Sequence, residues 1–301
     1  MKKKNINIDY TDFYKNILVQ DKEGNYYRLR IEQDEFCDGP RNWDNLGHMV
    51  CWHRRYKLGD QHNFSEPRDF LKELLFSEYS SGHNQRTNPI FKFLKSDKAK
   101  DARLKYNRST REWELQENQH WSADSDWYVS SSYAASLKDE VPDWFLDDCL
   151  SALSTGELFS LVEQMDGMVI LPLYLYDHSG ITMSTGSFSC PWDSGQVGWI
   201  YATKEDVQKE YGAFTKENLQ KAHQCLEWEV ETYAQFLEGD VYWYRLEKFL
   251  GGTIGDENVT PEDAIEDDCF WNMEDSCGGF YGSEVNDNGM TDCWGDIERV
   301  A

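Results

Sequence analysis

The chain has 301 residues, 40% hydrophobic and 15% aromatic, which is enough apolar material for a sizeable core and excludes wholesale disorder. A mean hydropathy of −0.74, with no apolar run near 18 residues, excludes a membrane-spanning helix. A net charge of −25 at pH 7 argues against direct binding to nucleic acid or a membrane surface and favours a basic partner.

This length predicts one large or two ordinary domains. The start, "MKKKNINIDYTDFYK", is basic but carries no apolar stretch or small-residue cleavage site, so a cytoplasmic location is expected. With no export signal, the eight cysteines are expected to be reduced thiols.

In chain order, "NYYRLRIEQ" (25–33) alternates as a strand does. Residues 34–60 read as loop with aromatic anchors, and Ser65 with Pro67 opens a helix. Residues 80–130 lack a clean period and read as an insertion, partly helical and partly mobile. Two short helices follow, the second opened by a capping box of Ser154 and Glu157. Three strand-like runs over 168–203, broken by turn residues, predict a β-meander, with Pro172 restricting the first run to an edge or a bulge. Thr203 starts a short helix ended by Gly212, and Thr215 caps a longer one. Along the latter, Leu219, Ala222, Leu226, Val230, Tyr233 and Leu237 form one apolar stripe. A strand at 239–249, a helix start at Thr260-Pro261 and an irregular, glycine-rich close complete the chain.

The fold class expected is therefore α+β: a largely antiparallel sheet with helices on one face, plus a helical or irregular insertion. Residues 1–64 form the N-terminal part of the core and 65–165 the insertion with its basic segment. Residues 166–250 form the meander and amphipathic helix, and 251–301 an acidic, aromatic tail.

The charge is unevenly spread. Gln224–Ala301 holds 20 acidic and 3 basic residues, whereas Asn84–Arg111 holds 9 basic and 2 acidic ones. The basic segment is expected to pair with acidic surface, within one molecule or between copies, so a homo-oligomer is a secondary expectation.

"SFSCPWDSGQVGWIY" (187–201) raises the question of catalysis. Cys190 would be the nucleophile, His178 the base, and Asp177 or Asp193 the orienting carboxylate of a cysteine-dependent hydrolase or transferase. Against it, Pro191 supplies no N–H for an oxyanion hole, and no helix start follows to activate the thiol. A metal site built on Cys51 and His53 is a lesser alternative, because no cysteine spacing matches a zinc framework. Asn286, Asp287, Asn288 and Asp292 lack the register of a calcium loop. No phosphate-cradling motif occurs and no cofactor is implied. The aromatic residues Trp192, Trp199, Trp243 and Tyr281, with Asp263, Glu266, Asp267 and Asp268, are the candidate partner-binding residues.

The blocks "PRNWDNLGHMVCWHRRYKLGD" (40–60), "ILPLYLYDHSGITMSTGSFSCPWDSGQVGWIYATKEDVQKEYG" (170–212), "EVETYAQFLEGDVYWY" (229–244) and "DSCGGFYG" (275–282) resemble the successive signature blocks of a family of conserved phage and mobile-element proteins. They cover 88 of the 301 residues, and residues 65–165 have no counterpart in the shorter members. The resemblance supplies a setting and no catalytic residues. It implies a protein acting in the host cytoplasm, where acidic phage proteins inhibit nuclease-type defence complexes by occupying their DNA channels. The partner expected is a basic, nucleic-acid-binding defence protein, met through an acidic, DNA-mimicking surface. A phage structural or replication accessory role is the remaining alternative.

Overall fold

The computed structural model describes Ile6 and residues 8–80, 86–119, 126–134, 141–254 and 257–300. Asn84 and Gln85, at the head of the basic segment, lie outside them.

The chain opens with β1 (Ile17–Asp21), β2 (Tyr26–Gln33) and β3 (His48–Cys51), then α1 (Pro67–Tyr79) and α2 (Pro89–Leu94). Next come β4 (Ala102–Asn107), β5 (Glu112–Gln119), β6 (Asp126–Ala134), α3 (Asp143–Ser151) and α4 (Thr155–Val162). Strands β7 (Met168–Asp177), β8 (Ile181–Ser184) and β9 (Ser194–Thr203) precede α5 (Lys204–Tyr211) and α6 (Lys216–Glu238). The remainder holds β10 (Val241–Phe249), β11 (Thr253–Ile254), β12 (Glu257–Asn258), β13 (Trp271–Tyr281), α7 (Met290–Cys293) and β14 (Ile297–Arg299). The main sheets have the orders β13-β10-β2-β1-β14, β3-β9-β7-β8 and β4-β5-β6. The fold is α+β with antiparallel sheets, as its sequence pattern predicts.

Two compact units divide the chain. The first comprises Met1–His48, Leu171–Ile200 and Val207–Ala301, and the second Met49–Ile170 and Tyr201–Asp206. In the first, Asp21 closes the β1–β2 hairpin by accepting the amides of Glu23 and Asn25 at 2.9 Å, while Gly24 takes a φ of +88°. Ile17, Val19, Leu29, Ile31, Tyr244 and Leu246 then share one buried core with Met290 and Trp294. Successive inward residues along each strand supply it, as period-two alternation requires.

The tail is thus not appended to this sheet. It provides both edges, β13 beside β10 and β14 beside β1. The ion pair of Arg299 with Asp12, at 2.7 and 3.0 Å, fastens the β14 edge.

Helix α6 forms as its stripe predicts: Ala222, Leu226, Val230 and Tyr233 are buried, Thr215 accepts the Asn218 amide, and Gly239 ends the helix at φ +74°. Against it lies the loop 40–47. Glu229 on α6 accepts the amides of Leu46 and Gly47 at 2.7 and 3.1 Å and the guanidinium of Arg41 at 2.9 Å. Both oxygens of this largely buried carboxylate are therefore paired. The loop comes so close that a Cβ on Gly47 would overlap Leu226 and lie 2.9 Å from Ile200.

Four local expectations need correction. The runs over 168–203 are no meander: β9 lies on the far side of β7 from β8, because the loop 185–193 is long enough to cross back. Pro172 occupies this interior strand because the β7–β8 pairing reaches only Tyr174↔Ser184. Thr260–Asp263 makes a hydroxyl-capped turn that does not continue as an α-helix and is followed by a single 3-10 turn, Asp268–Phe270. Glu66, not Ser65, is the N-cap of α1.

The second unit carries its own sheet β4-β5-β6, which the sequence pattern does not reveal. Leu104 faces Leu115 across β4 and β5, and Tyr133 on β6 packs its ring 4.5 Å from Phe145 of α3. Glu157 accepts the Ser154 amide at 2.9 Å, completing the expected capping box of α4.

Replacing Gly47 with alanine should destabilise the fold by about 1–3 kcal/mol through overpacking. A urea denaturation midpoint equal to that of the natural protein would contradict this account of the loop.

Candidate functional site

Arg28 on β2 is 1% exposed and is the largest fully buried side chain among the described residues. A buried guanidinium is tolerated only when charge and donors are both satisfied. Its Nε donates to Glu247 on β10 at 2.7 Å, its Nη1 to the Ile265 carbonyl at 3.1 Å, and its Nη2 to Asp268 at 2.6 Å. The Trp271 ring lies 5.3 Å from its Cζ. Burial alone would lower the Arg28 pKa, but the two carboxylates outweigh it and hold the group above its ordinary value. The same contact holds the exposed Asp268 carboxyl below its usual range.

Arg28 thereby fixes the acidic turn that precedes β13. Asn16 donates to the Ile265 carbonyl at 3.2 Å and to Glu266 at 2.9 Å, and the Trp271 indole donates to the Ala264 carbonyl at 2.7 Å. Asp263 accepts from the Thr260 hydroxyl, and Asp267 accepts the Cys269 amide at 3.0 Å. Of the sequence-predicted acids, Asp263, Glu266, Asp267 and Asp268 are all exposed and gathered on this turn. Glu257, Glu262, Glu274 and Asp275 extend the cluster, and no lysine or arginine occurs between 257 and 275.

From the turn, β13 runs along the sheet edge with Asn272–Gly279 exposed. It is bulged opposite Tyr242–Tyr244 and Leu246–Glu247, and edge strands use such bulges and charges to resist indiscriminate pairing. At its far end Asp34 accepts the Gly279 amide at 3.0 Å, and Gly278 sits where a Cβ would meet both Asp34 and Trp243.

Trp243 lines a cavity of about 410 Å³ with Tyr14, Asp34, Glu35 and Phe36. Phe36 is 94% exposed, an aromatic anchor that sequence reasoning misses although it stands between acids in a turn, "DEFCDG". Tyr281 donates to the Asp38 carbonyl at 3.1 Å and meets Trp43 edge-on at 5.3 Å, and burial raises its pKa to about 12. Trp243 and Tyr281 therefore join one edge. Trp199 does not: at 5% exposure it belongs to the core, because its position on β9 points inward. Trp192 is 92% exposed in the loop 185–193.

That loop brings Cys190, His178 and Asp193 together, but with the carboxylate in the middle. Asp193 accepts from the Cys190 thiol at 3.4 Å and lies 3.3 Å from the His178 Nδ1. Asp177 contributes its amide, which donates to the Asp193 carbonyl at 2.8 Å. Such an order opposes the nucleophile reading, since the Asp193 carboxylate and not the imidazole stands in the place of the base. Cys51 is buried beneath Gly59, and His53 uses its Nδ1 to accept the amides of Arg55 and Tyr56. Among the described residues no group of three or more His, Cys, Asp or Glu side chains is placed to hold a metal.

Two outcomes are expected. Arg28→Ala should cost about 3–5 kcal/mol, because it takes from the buried Glu247 its closest cation, and should be read as a lowered denaturation midpoint. Asp193→Asn should speed iodoacetamide labelling of Cys190 several-fold; slower labelling would mean that the carboxylate activates the thiol.

Comparison with known proteins finds no matching family model, no matching curated protein and no matching solved structure.

Proposed function

We propose that this chain is a phage-encoded binding protein that inhibits a nuclease-type host defence complex by protein–protein contact. The observation that carries the reading is the edge of the five-stranded sheet. A fixed acidic turn, the exposed strand β13 and the Phe36–Trp243 patch follow one another along it. Carboxylates held in place present their charge without a further ordering cost, and they match the basic groove of a nucleic-acid-binding protein. The field of a −25 chain speeds encounter, while burial of Phe36 and Trp243 slows release. The resemblance to phage and mobile-element proteins supplies the setting, the host cytoplasm, and the defence target. The Cys190 hydrolase reading is less well supported, because Asp193 and not His178 accepts from the thiol.

Affinity capture from phage-infected cells, followed by mass spectrometry, tests the proposal. A basic, nucleic-acid-binding defence protein should be recovered at low salt and lost as salt rises. The triple charge reversal Glu262→Lys, Asp263→Lys, Glu266→Lys should weaken capture at least tenfold, and Phe36→Ala should shorten the residence time. Recovery of no defence protein, together with unchanged phage plating on defended hosts, would overturn it.

A further inference from the structure

The second unit contains a cavity of about 1020 Å³ formed wholly by residues 51–63, the loop between β3 and α1. The loop is firmly built. The Trp52 indole donates to the Phe64 carbonyl at 3.0 Å, and His62 Nε2 bonds the Cys51 carbonyl at 3.0 Å. Asp60 exchanges bonds with Met49, accepting its amide at 2.7 Å and donating to its carbonyl at 2.8 Å. Gly59 has a φ of +68°, and a Cβ there would come within 2.7 Å of the Met49 carbonyl oxygen. Such a turn is a scaffold for a site, because its shape does not have to be imposed by a ligand.

The lining runs against the charge of the whole chain. Arg54 and Lys57 are exposed at the cavity, and neither has a carboxylate partner among the described residues. The one carboxylate in the lining, Asp60, is engaged by the Met49 amide. His53 accepts two backbone amides at Nδ1, which leaves the proton on Nε2 as a donor. Flat rings accompany these donors: Tyr56 stacks on His53 at 5.0 Å, and Trp52 lies 4.8 Å from His62. In a chain carrying −25, cations without a carboxylate partner call for an anion from outside.

We infer that this loop is a binding site for a phosphate-bearing ligand with a planar ring, a nucleotide in chemical class. Arg54, Lys57 and the His53 Nε2–H take the phosphates, and the rings of Trp52 and Tyr56 take the base. The cavity is at the upper end of the size range of small-molecule sites, about 300–1,000 Å³. The loop belongs to the second unit and the acidic edge to the first, and the inference does not rest on that edge.

Calorimetric titration of the full chain at pH 7 and 150 mM salt tests the inference with three probes: adenosine diphosphate, inorganic pyrophosphate and a single-stranded octanucleotide. Saturable binding of the nucleotide is expected, at least tenfold weaker in the double variant Arg54→Ala, Lys57→Ala and several-fold weaker in Tyr56→Leu. Both cations are exposed, so an unchanged circular dichroism spectrum should accompany the loss. An octanucleotide that binds tighter than the diphosphate at the same cations would assign the phosphate to a polynucleotide, still within the inference. Pyrophosphate binding as tightly as the nucleotide would overturn the role of the rings. No saturable binding of any probe up to millimolar concentration, or binding indifferent to the double variant, would overturn the site itself.

Discussion

A single buried cation organises the most acidic part of this molecule. Arg28 lies inside the five-stranded sheet and reaches Glu247 on one side and the acidic turn at Ile265 and Asp268 on the other. Without it, eight carboxylates between 257 and 275 would repel one another with no basic residue among them. With it, the turn has an anchor, and Trp271 closes over the guanidinium. A buried charge of this kind is a poor source of net stability. Its value lies in position: it decides where the exposed carboxylates stand.

The same arrangement recurs at Glu229, the mirror case, where a largely buried carboxylate gathers Arg41 and the amides of the loop 40–47 onto α6. The two sites share a design in which one desolvated charge holds an irregular segment to a regular element. Both irregular segments are rich in polar and turn-forming residues, which hold little apolar surface of their own. Charge pairing supplies what hydrophobic burial cannot.

Regular local features are legible in the sequence. The α6 stripe, the Ser154–Glu157 box and the β2 alternation are fixed by neighbours within a few residues, so pattern reads them directly. The crossing of β9 past β7 is not legible, because strand order is set by long-range pairing that leaves no local mark. The strand identity of β13 is obscured by its glycines and bulges. Thr260-Pro261 carries the marks of a helix start, yet the Arg28 contact to Ile265 lies where a further helical turn would need that carbonyl. Of the site, the acidic residues and Trp243 and Tyr281 are readable from composition. Trp199 is misplaced because periodicity alone does not say which side of β9 faces inward, and Phe36 escapes notice because a lone aromatic in a turn resembles any other.

The order β13-β10-β2-β1-β14 carries a consequence for synthesis. The hairpin β1–β2 is made first, but its neighbour β10 follows about two hundred residues later, and β13 and β14 later still. At about 5–20 residues per second, a ribosome leaves that hairpin without its flanking strands for roughly ten to forty seconds. During that interval two open strand borders and the inward-facing Leu29 and Ile31 wait in the nascent chain, a state in which chaperone capture competes with premature association.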